Sequence, residues 1–363
     1  MTVLPRDNAE APRGLGVTLF LALAICGCAS ASAPTPVRWS GQTMGTTYSV
    51  AVTALPEGAT KEALAAAVEE ELAAVNRQMS TWDPDSELSR FNASASTDWF
   101  PVSPETAAVT ALALEIAAES GGAFDPTVGP LVDLWGFGDD ARPSRVPSDE
   151  ALDAARELVG FDKLEVRLDP PALKKALPGV RVNLSAIAKG HGVDRVAERL
   201  AAAGVTDSLV EVGGEVRAAG TKAGGEPWTV GVERPIQDPT GHRRAVQRGI
   251  ALHGGPDVRA LATSGNYRSF YELDGETVVH TLDPRTGRPV LVASDGPNLD
   301  SATVLAADCA TADALATAAM VLGPADGLAL LERRGIAGLL IVRVGDRFEE
   351  VPTAAFQRQF GDK

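Results

Sequence analysis

The chain has 363 residues, of which 45% are hydrophobic and 22% are charged, so it can bury the core of one large domain or of two packed ones. Its formal net charge is −15 and its sequence pI is near 4.8. A surface this acidic repels the phosphates of nucleic acid, which we therefore exclude as a partner. An anionic small ligand would need a local cation, either a basic side chain or a metal ion.

The first 27 residues have the pattern of a signal peptide. The apolar run at 15–27 is too short to span a bilayer comfortably, and Arg6 and Arg13 precede it. It ends in a pattern that resembles a bacterial lipobox, in which cleavage after Gly27 leaves Cys28 as the lipidated N-terminus. An ordinary signal peptide cut at the nearby Ala-Ser-Ala stretch is the alternative. We predict a lipoprotein signal peptide at 1–27, a lipidated tether at 28–39 and a folded domain at 40–355.

Helices are predicted from apolar spacing and from capping residues. Residues 60–79 place Leu64, Val68 and Leu72 on one face. Ser103 and Ser148 are caps that open two further helices. The predicted helices are 60–79, a segment between 103 and 121, a segment between 148 and 160, 188–200, and 311–322, which Gly323 and Pro324 end.

Short β-like runs lie between these helices, at 46–52, 208–218, 228–233, 277–282, 302–306 and 336–344. They do not alternate strictly with helices, so an α+β fold with antiparallel sheet is expected rather than a doubly wound parallel sheet. The sequence has no Gly-x-Gly-x-x-Gly after a strand and no Walker loop, so it does not support the common nucleotide-binding folds.

Two helical segments carry candidate ligand-binding side chains. Lys189 is predicted in the first turn of a helix, where a cation is disfavoured unless a phosphate binds there; a solvated lysine with a misplaced helix start is the alternative. Asp313 and Thr317 are four residues apart and share a helix face, which suits a hard cation such as Mg²⁺. An aspartate that only complements the helix dipole, with a buried threonine, is the alternative for that pair.

Other segments indicate a ligand cavity or a general base. His280 precedes a Pro- and Gly-bearing turn and could act as a base, or could only stabilise the turn. Small residues beside Met44, Trp82 and Phe124 permit a close backbone approach to a flat ring, although each segment alone is more often core or turn. Cys309 is expected to be a small buried apolar residue.

Taken in order, these segments resemble the ApbE family of FAD:protein FMN transferases over about residues 40–350. The matching strings are GQTMGTTYSV, MSTWDPDSELSRFN, GGAFDPTVGPLVDLWGFG, NLSAIAKGHGVD, LVEVGGEVRAAG, WTVGVERP, LATSGNYRSF, HTLDPRTGRP and TADALATAAMVLG. The resemblance implies a T-fold-like α+β unit that binds FAD and Mg²⁺ and transfers FMN to a Thr or Ser hydroxyl of a target flavoprotein, releasing AMP.

The resemblance also implies roles for individual residues. His280 and Lys189 are the implied catalytic residues, and the backbone carbonyl of Ala186 joins Asp313 and Thr317 as a metal ligand. The implied flavin contacts are Met44, Trp82, Ala123, Phe124, Asp125, Asn183 and Lys189.

The chain departs from the family pattern at several positions. Asn183 and Asn266 stand where Asp is usual, Trp82 replaces a more usual Tyr, and Thr281-Leu282 replaces a more aliphatic pair. None of these changes removes a predicted metal ligand or Lys189.

Two other functions remain open at this stage: a Mg²⁺-dependent FAD pyrophosphatase that yields FMN and AMP, and a non-enzymatic FAD-binding lipoprotein. The resemblance implies target flavoproteins with a Thr/Ser acceptor motif, among which subunits of redox complexes are suspected. The predicted lipid anchor places the protein in the cell envelope, at the periplasmic face of the inner membrane.

Overall fold

The computed structural model describes residues 35–138, 142–236, 245–253, 258–267, 270–290 and 297–361. The helices within these ranges are α1 (Lys61–Met79), α2 (Glu87–Ala93), α3 (Pro104–Glu119), α4 (Gly129–Leu134), α5 (Asp149–Arg156), α6 (Ser185–Ala202), α7 (Cys309–Arg333) and α8 (Ala354–Phe360). The strands are β1 (Val37–Thr43), β2 (Thr46–Val52), β3 (Phe100–Pro101), β4 (Leu164–Leu168), β5 (Pro171–Lys175), β6 (Ser208–Val212), β7 (Glu215–Ala219), β8 (Trp228–Glu233), β9 (Val246–Leu252), β10 (Ala260–Gly265), β11 (Phe270–Leu273), β12 (Glu276–Val279), β13 (Leu282–Asp283), β14 (Arg288–Pro289), β15 (Asn298–Ala306), β16 (Ala337–Val344) and β17 (Arg347–Pro352).

An eight-stranded sheet with the order β1-β2-β6-β7-β10-β15-β16-β17 organises the fold. Within the described ranges, every pairing between named strands is antiparallel, and an isolated bridge between Val128 and Arg181 is parallel. The α+β class with antiparallel sheet is therefore confirmed.

Both faces of this sheet are covered by other elements. Side chains alternate between the two faces along each strand, so neighbouring residues pack into different cores. In β16, Leu340 and Val342 pack into a core with α1, α3, α6 and α7. Their neighbours Leu339 and Ile341 pack into a second core with the β8-β9 hairpin and α8. The helical face of the sheet is therefore the one that carries α6 and α7.

Helix α1 matches its prediction because its sequence signals agree with one another. The hydroxyl of Thr60 accepts a hydrogen bond from the Ala63 amide and so caps the helix. The apolar residues at helical spacing are all buried: Leu64, Val68, Leu72, Val75 and Met79. The cap of α3 at Ser103 is confirmed in the same way, whereas α5 ends at Arg156, before the predicted stop.

Helix α6 begins earlier than predicted, at Ser185 rather than at 188. The side chain of Asn183 accepts the Ser185 amide at 2.9 Å, and Leu184 between them is fully buried. Lys189 is therefore the fifth residue of the helix, and its predicted position in the first turn is wrong. At the helix start the amide of Ser185 bonds to Asn183 Oδ1, and those of Ile187 and Ala188 bond to the carbonyl of Leu184.

The run at 208–218, predicted as one strand, is the hairpin formed by β6 and β7. Gly213 and Gly214 both have positive φ, 63° and 111°, and supply the two-residue turn that such a hairpin needs. Similarly, the predicted strand at 277–282 is divided, because β12 ends at Val279 and β13 begins at Leu282. His280 lies in the bend between them.

Helix α7 forms the centre of the larger core and carries many fully buried alanines. Gly323 has φ 79° and ψ −175°, so the helical geometry is interrupted just before Pro324, where the sequence predicts an end. Among the described residues α7 is the one helix long and apolar enough to cross a membrane, but 56% of its most apolar window is buried inside the protein. Cys309 is fully buried at its start, as predicted.

Regular structure extends past both predicted limits of the folded domain. Strand β1 begins at Val37, inside the predicted tether at 28–39. Trp39 on this strand packs into a core with α1 and α6. At the other end, Phe356 is buried beyond the predicted limit at 355. The predicted signal peptide and Cys28 lie outside the described residues.

Helices α6 and α7 touch so closely that residue 190 must be glycine. A Cβ atom on Gly190 would lie 2.3 Å from the carbonyl oxygen of Cys309, a backbone atom that cannot move aside cheaply. We expect Gly190→Ala to lower the free energy of unfolding by about 3 kcal/mol through overpacking.

Urea unfolding of the two proteins measures this difference. Gly249→Ala is the matched control, since its added Cβ would meet Thr229 only at 3.9 Å, and it should change stability by less than about 1 kcal/mol. Equal stability of the two variants would contradict the proposed contact.

Candidate active site

The structure brings all the predicted site residues of the described chain to one cavity of about 620 Å³. They come from a turn, four loop segments and two helices. The cavity-lining residues among them are Met44, Trp82, Ala123, Phe124, Asp125, Asn183, Ala186, Lys189, His280, Asp313 and Thr317. Their placement agrees with a common site, and their individual roles stay predictions.

The lysine of α6 lies between two carboxylates at one side of the cavity. Lys189 Nζ is 3.2 Å from Oε1 of Glu215 and 3.4 Å from Oδ2 of Asp313. Both acidic side chains are buried, with relative exposures of 3% and 1% for the two residues. Lys189 Nζ also donates to the carbonyl oxygen of Ser185 at 3.4 Å.

These neighbours control the ionisation of the lysine. Burial alone lowers the pKa of Lys189, but the charges of Asp313 and Glu215 outweigh it and hold the pKa above its usual range. Burial raises the pKa of Glu215, and Lys189 opposes that shift. The lysine is therefore a permanent cation inside the cavity.

The predicted metal ligands Ala186 and Asp313 are held next to each other by one amide. In an α-helix the amide of residue 190 points toward the carbonyl of residue 186. Here the Gly190 amide donates to Oδ2 of Asp313 at 3.0 Å. The carboxylate therefore lies beside the carbonyl end of Ala186.

Thr317, the third predicted ligand, lies one turn further along α7. Its hydroxyl is 3.0 Å from the hydroxyl of Ser264 on β10, which also lines the cavity. A carboxylate, a hydroxyl and a carbonyl form a set of oxygen donors that suits Mg²⁺, an ion that keeps several waters. Among the described residues no group of three or more His, Cys, Asp or Glu side chains could hold a metal, and this set needs only one carboxylate.

A tight turn and an exposed indole form one wall of the cavity. Met44 has a left-handed backbone, with φ 49°, and Gly45 follows with φ 69° in the β1-β2 turn. Left-handed methionine is uncommon and such strain tends to occur at functional positions. Trp82 is 65% exposed, so its ring face is free to stack on a flat ligand.

The loop after α3 also lines the cavity and is held by internal hydrogen bonds. Oδ1 of buried Asp125 accepts both the amide and the hydroxyl of Thr127. The Asn183 amide donates to the carbonyl of Pro126 at 2.8 Å, which ties this loop to the start of α6. The side chain of Asn183 thus accepts the first amide of α6, and its backbone amide anchors the loop.

His280 lines the cavity as well. Its side chain is exposed, and its ring centre is 6.4 Å from that of Phe137 in an edge-to-face arrangement. A base in this position can exchange a proton with a group that enters from solvent.

Two polar residues beside the predicted metal site, Glu215 and Ser264, are among the cavity-lining residues that the sequence analysis did not predict. Glu215 lies inside the run at 208–218, which the sequence predicts as one strand. A signal was present, because Gly213-Gly214 is a turn pattern and it is followed by a charged residue among apolar ones. Ser264 lies in LATSGNYRSF, one of the matching strings, but has no distinctive spacing of its own.

Comparison with known proteins agrees with this site. The profile of the ApbE family matches residues 44–340, and the chain therefore belongs to the ApbE family. A FAD:protein FMN transferase of Vibrio cholerae is 43% identical over 321 residues, which cover 88% of this chain and 92% of that protein. One of Haemophilus influenzae is 41% identical over 325 residues, with coverages of 88% and 90%.

Solved structures show the same fold. The flavin transferase ApbE of Vibrio cholerae superposes with a TM-score of 0.78 at 40% identity, over 90% of this chain and 99% of that one. The apo form of the Pseudomonas stutzeri flavinyl transferase ApbE gives 0.79 at 39% identity, over 91% and 98%. The expected ApbE-like architecture is thus confirmed.

His191, two residues after Lys189, makes stability depend on pH. Its pKa is lowered to about 4, because burial and nearby Arg195 disfavour the cation more than Glu105 favours it. In the unfolded chain a histidine titrates near 6.5. Between these values only the unfolded chain binds the proton, so the free energy of unfolding falls as pH falls from about 6.5 to about 4.

His191→Gln should remove this contribution, which amounts to at most about 3 kcal/mol at the acidic end. Urea unfolding across this pH range measures it as the difference in slope between the two proteins. Parallel pH profiles would show that His191 takes up its proton equally well in the folded state.

Proposed function

We propose that this chain is a Mg²⁺-dependent FAD:protein FMN transferase, which moves FMN from FAD to a Thr or Ser hydroxyl of a target flavoprotein and releases AMP. The observation that carries the proposal is the placement of Lys189 beside Asp313 in a cavity that also exposes Trp82 and His280. This arrangement joins a cation for a diphosphate, a metal ligand, a stacking surface and a base. Membership of the ApbE family supports the same activity.

The residues divide the work of binding FAD. Trp82, Met44 and Phe124 offer ring faces and a thioether to the flat flavin. Lys189 offers its ammonium to the diphosphate. Asp313, Thr317 and the carbonyl of Ala186 would hold Mg²⁺, which when bound supplies positive charge to the phosphate oxygens.

The reaction exchanges one phosphorus–oxygen bond for another. The acceptor oxygen forms a bond to the FMN phosphorus, and the bond from that phosphorus to the bridging oxygen breaks, so AMP leaves with the bridging oxygen. The proton of the acceptor hydroxyl goes to His280, whose exposed side chain a protein segment can reach. Lys189 stabilises the negative charge that gathers on the departing phosphate.

The transfer itself is tested with the mature protein, FAD, MgCl₂ and a recombinant flavoprotein subunit that carries a Thr acceptor motif. We expect intact-protein mass spectrometry to find an FMN-sized increment on the acceptor, together with one AMP per adduct. A yield of FMN and AMP without adduct would identify a pyrophosphatase instead. Intact FAD would identify a binding protein.

Asp313→Asn tests the metal assignment without changing the size of the side chain. Its carboxamide oxygen can still accept the Gly190 amide, so the fold is kept, but the anionic ligand is lost. We expect transfer at limiting Mg²⁺ to fall by at least about a hundredfold. Asp326→Ala, an exposed position on the same helix, is the control and should leave transfer unchanged; normal activity of Asp313→Asn would remove residue 313 from the metal site.

We further propose that lipidated Cys28 anchors the protein at the periplasmic face of the inner membrane. The support is the sequence alone, namely the apolar run at 15–27 and the small residue before Cys28. Cys28→Ser should abolish the incorporation of labelled palmitate in cells and move the protein to the soluble fraction. Cys26→Ser should retain the label, and labelled Cys28→Ser protein would contradict the anchor.

A further inference from the structure

Glu215 is a buried acid with one oxygen that the fold does not use. Its Oε1 pairs with Lys189 at 3.2 Å, whereas its buried Oε2 has no hydrogen-bond partner. A buried acceptor without a partner destabilises the fold, and more so when it is charged. Glu215 is one of the residues that line the cavity.

A carboxylate that serves only the fold has a different set of contacts in this chain. Asp194 is buried to a similar degree, and both of its oxygens are occupied by the amides of Cys309 and Ala310 and by the guanidinium of Arg217. A structural ion pair at Glu215 would be expected to satisfy both oxygens in the same way. The contrast indicates that Glu215 acts on what enters the cavity.

The charges around the cavity favour cations over anions. Among the described lining residues Lys189 is the one lysine or arginine, and the carboxylates are those of Asp125, Glu215, Glu233 and Asp313. With both carboxylates ionised, Lys189 and its two ion-pair partners carry a net charge of −1. The two negative charges of a dinucleotide's diphosphate are therefore repelled until a divalent cation reverses the sign of this group.

We propose that the carboxylate of Glu215 neutralises the charge of Lys189 and thereby prevents a diphosphate from binding in the cavity until a divalent cation is bound. The cation must therefore bind first and the dinucleotide second. This inference rests on the proposed function and adds an order of binding to it. When Asp313 is engaged as a metal ligand, Glu215 still holds Lys189 in the cavity.

Equilibrium binding of FAD tests this order without any transfer. FAD binding is followed by flavin fluorescence in MgCl₂ or in EDTA, with no acceptor present, and chromatography checks that the FAD stays intact. Without Mg²⁺ we expect Glu215→Gln to bind FAD about tenfold more tightly than the unchanged protein, since one negative charge near the diphosphate is gone. The gain in affinity on adding Mg²⁺ should shrink accordingly.

Two further variants separate charge from shape. Glu70→Gln removes the same charge at an exposed position on α1 and should bind FAD as the unchanged protein does. Glu215→Asp keeps the charge in a shorter side chain and should keep the full dependence on Mg²⁺. If Glu215→Gln folds poorly, as judged by thermal unfolding, Glu215→Asp decides: tight FAD binding in EDTA would overturn the proposal.

Unchanged or weaker binding of FAD by folded Glu215→Gln in EDTA would also overturn it, because Glu215 would then only hold Lys189 in place. The proposed function fails in a different way. In that case the unchanged protein, although it binds FAD in the presence of Mg²⁺, would give no FMN adduct on the acceptor.

Discussion

Two acidic side chains lock α6 and α7 together, and the rest of the site depends on that lock. Asp194 of α6 accepts the amides of Cys309 and Ala310 at the start of α7. Asp313 of α7 accepts the amide of Gly190 on α6 in return. Each helix thus fixes the position of the other, and the close approach is possible because residue 190 has no side chain. A ligand set divided between the two helices therefore keeps its spacing.

The sheet adds the third part of this arrangement. The β6-β7 turn carries Glu215 to the side of Lys189, and Arg217 on the same strand pairs with Asp194. Strand β7 therefore contributes to two ion pairs, Glu215 with Lys189 and Arg217 with Asp194. In a protein with a net charge of −15, this places a permanent cation at a defined position among acids. The local cation that the acidic composition requires for an anionic ligand is thus Lys189, which two carboxylates hold in place.

Local signals in the sequence were sufficient where they agreed with burial. The apolar face of α1, its cap at Thr60 and the break at Gly323 were all predictable. The start of α6 was not predictable, because its N-cap is the apolar Leu184 and the oxygen that accepts the Ser185 amide belongs to Asn183. The site residues were found through the order of motifs, since nothing in their spacing shows that a turn at 44 and a helix at 313 meet.

The cavity joins two kinds of structure with different freedom to vary. Asp313 belongs to a helix in the densest part of the core, so most replacements around it disturb the whole fold. Trp82 and His280 lie on exposed loops and bear little of the packing. A replacement at this outer edge therefore disturbs the fold far less than a replacement in the inner half of the cavity.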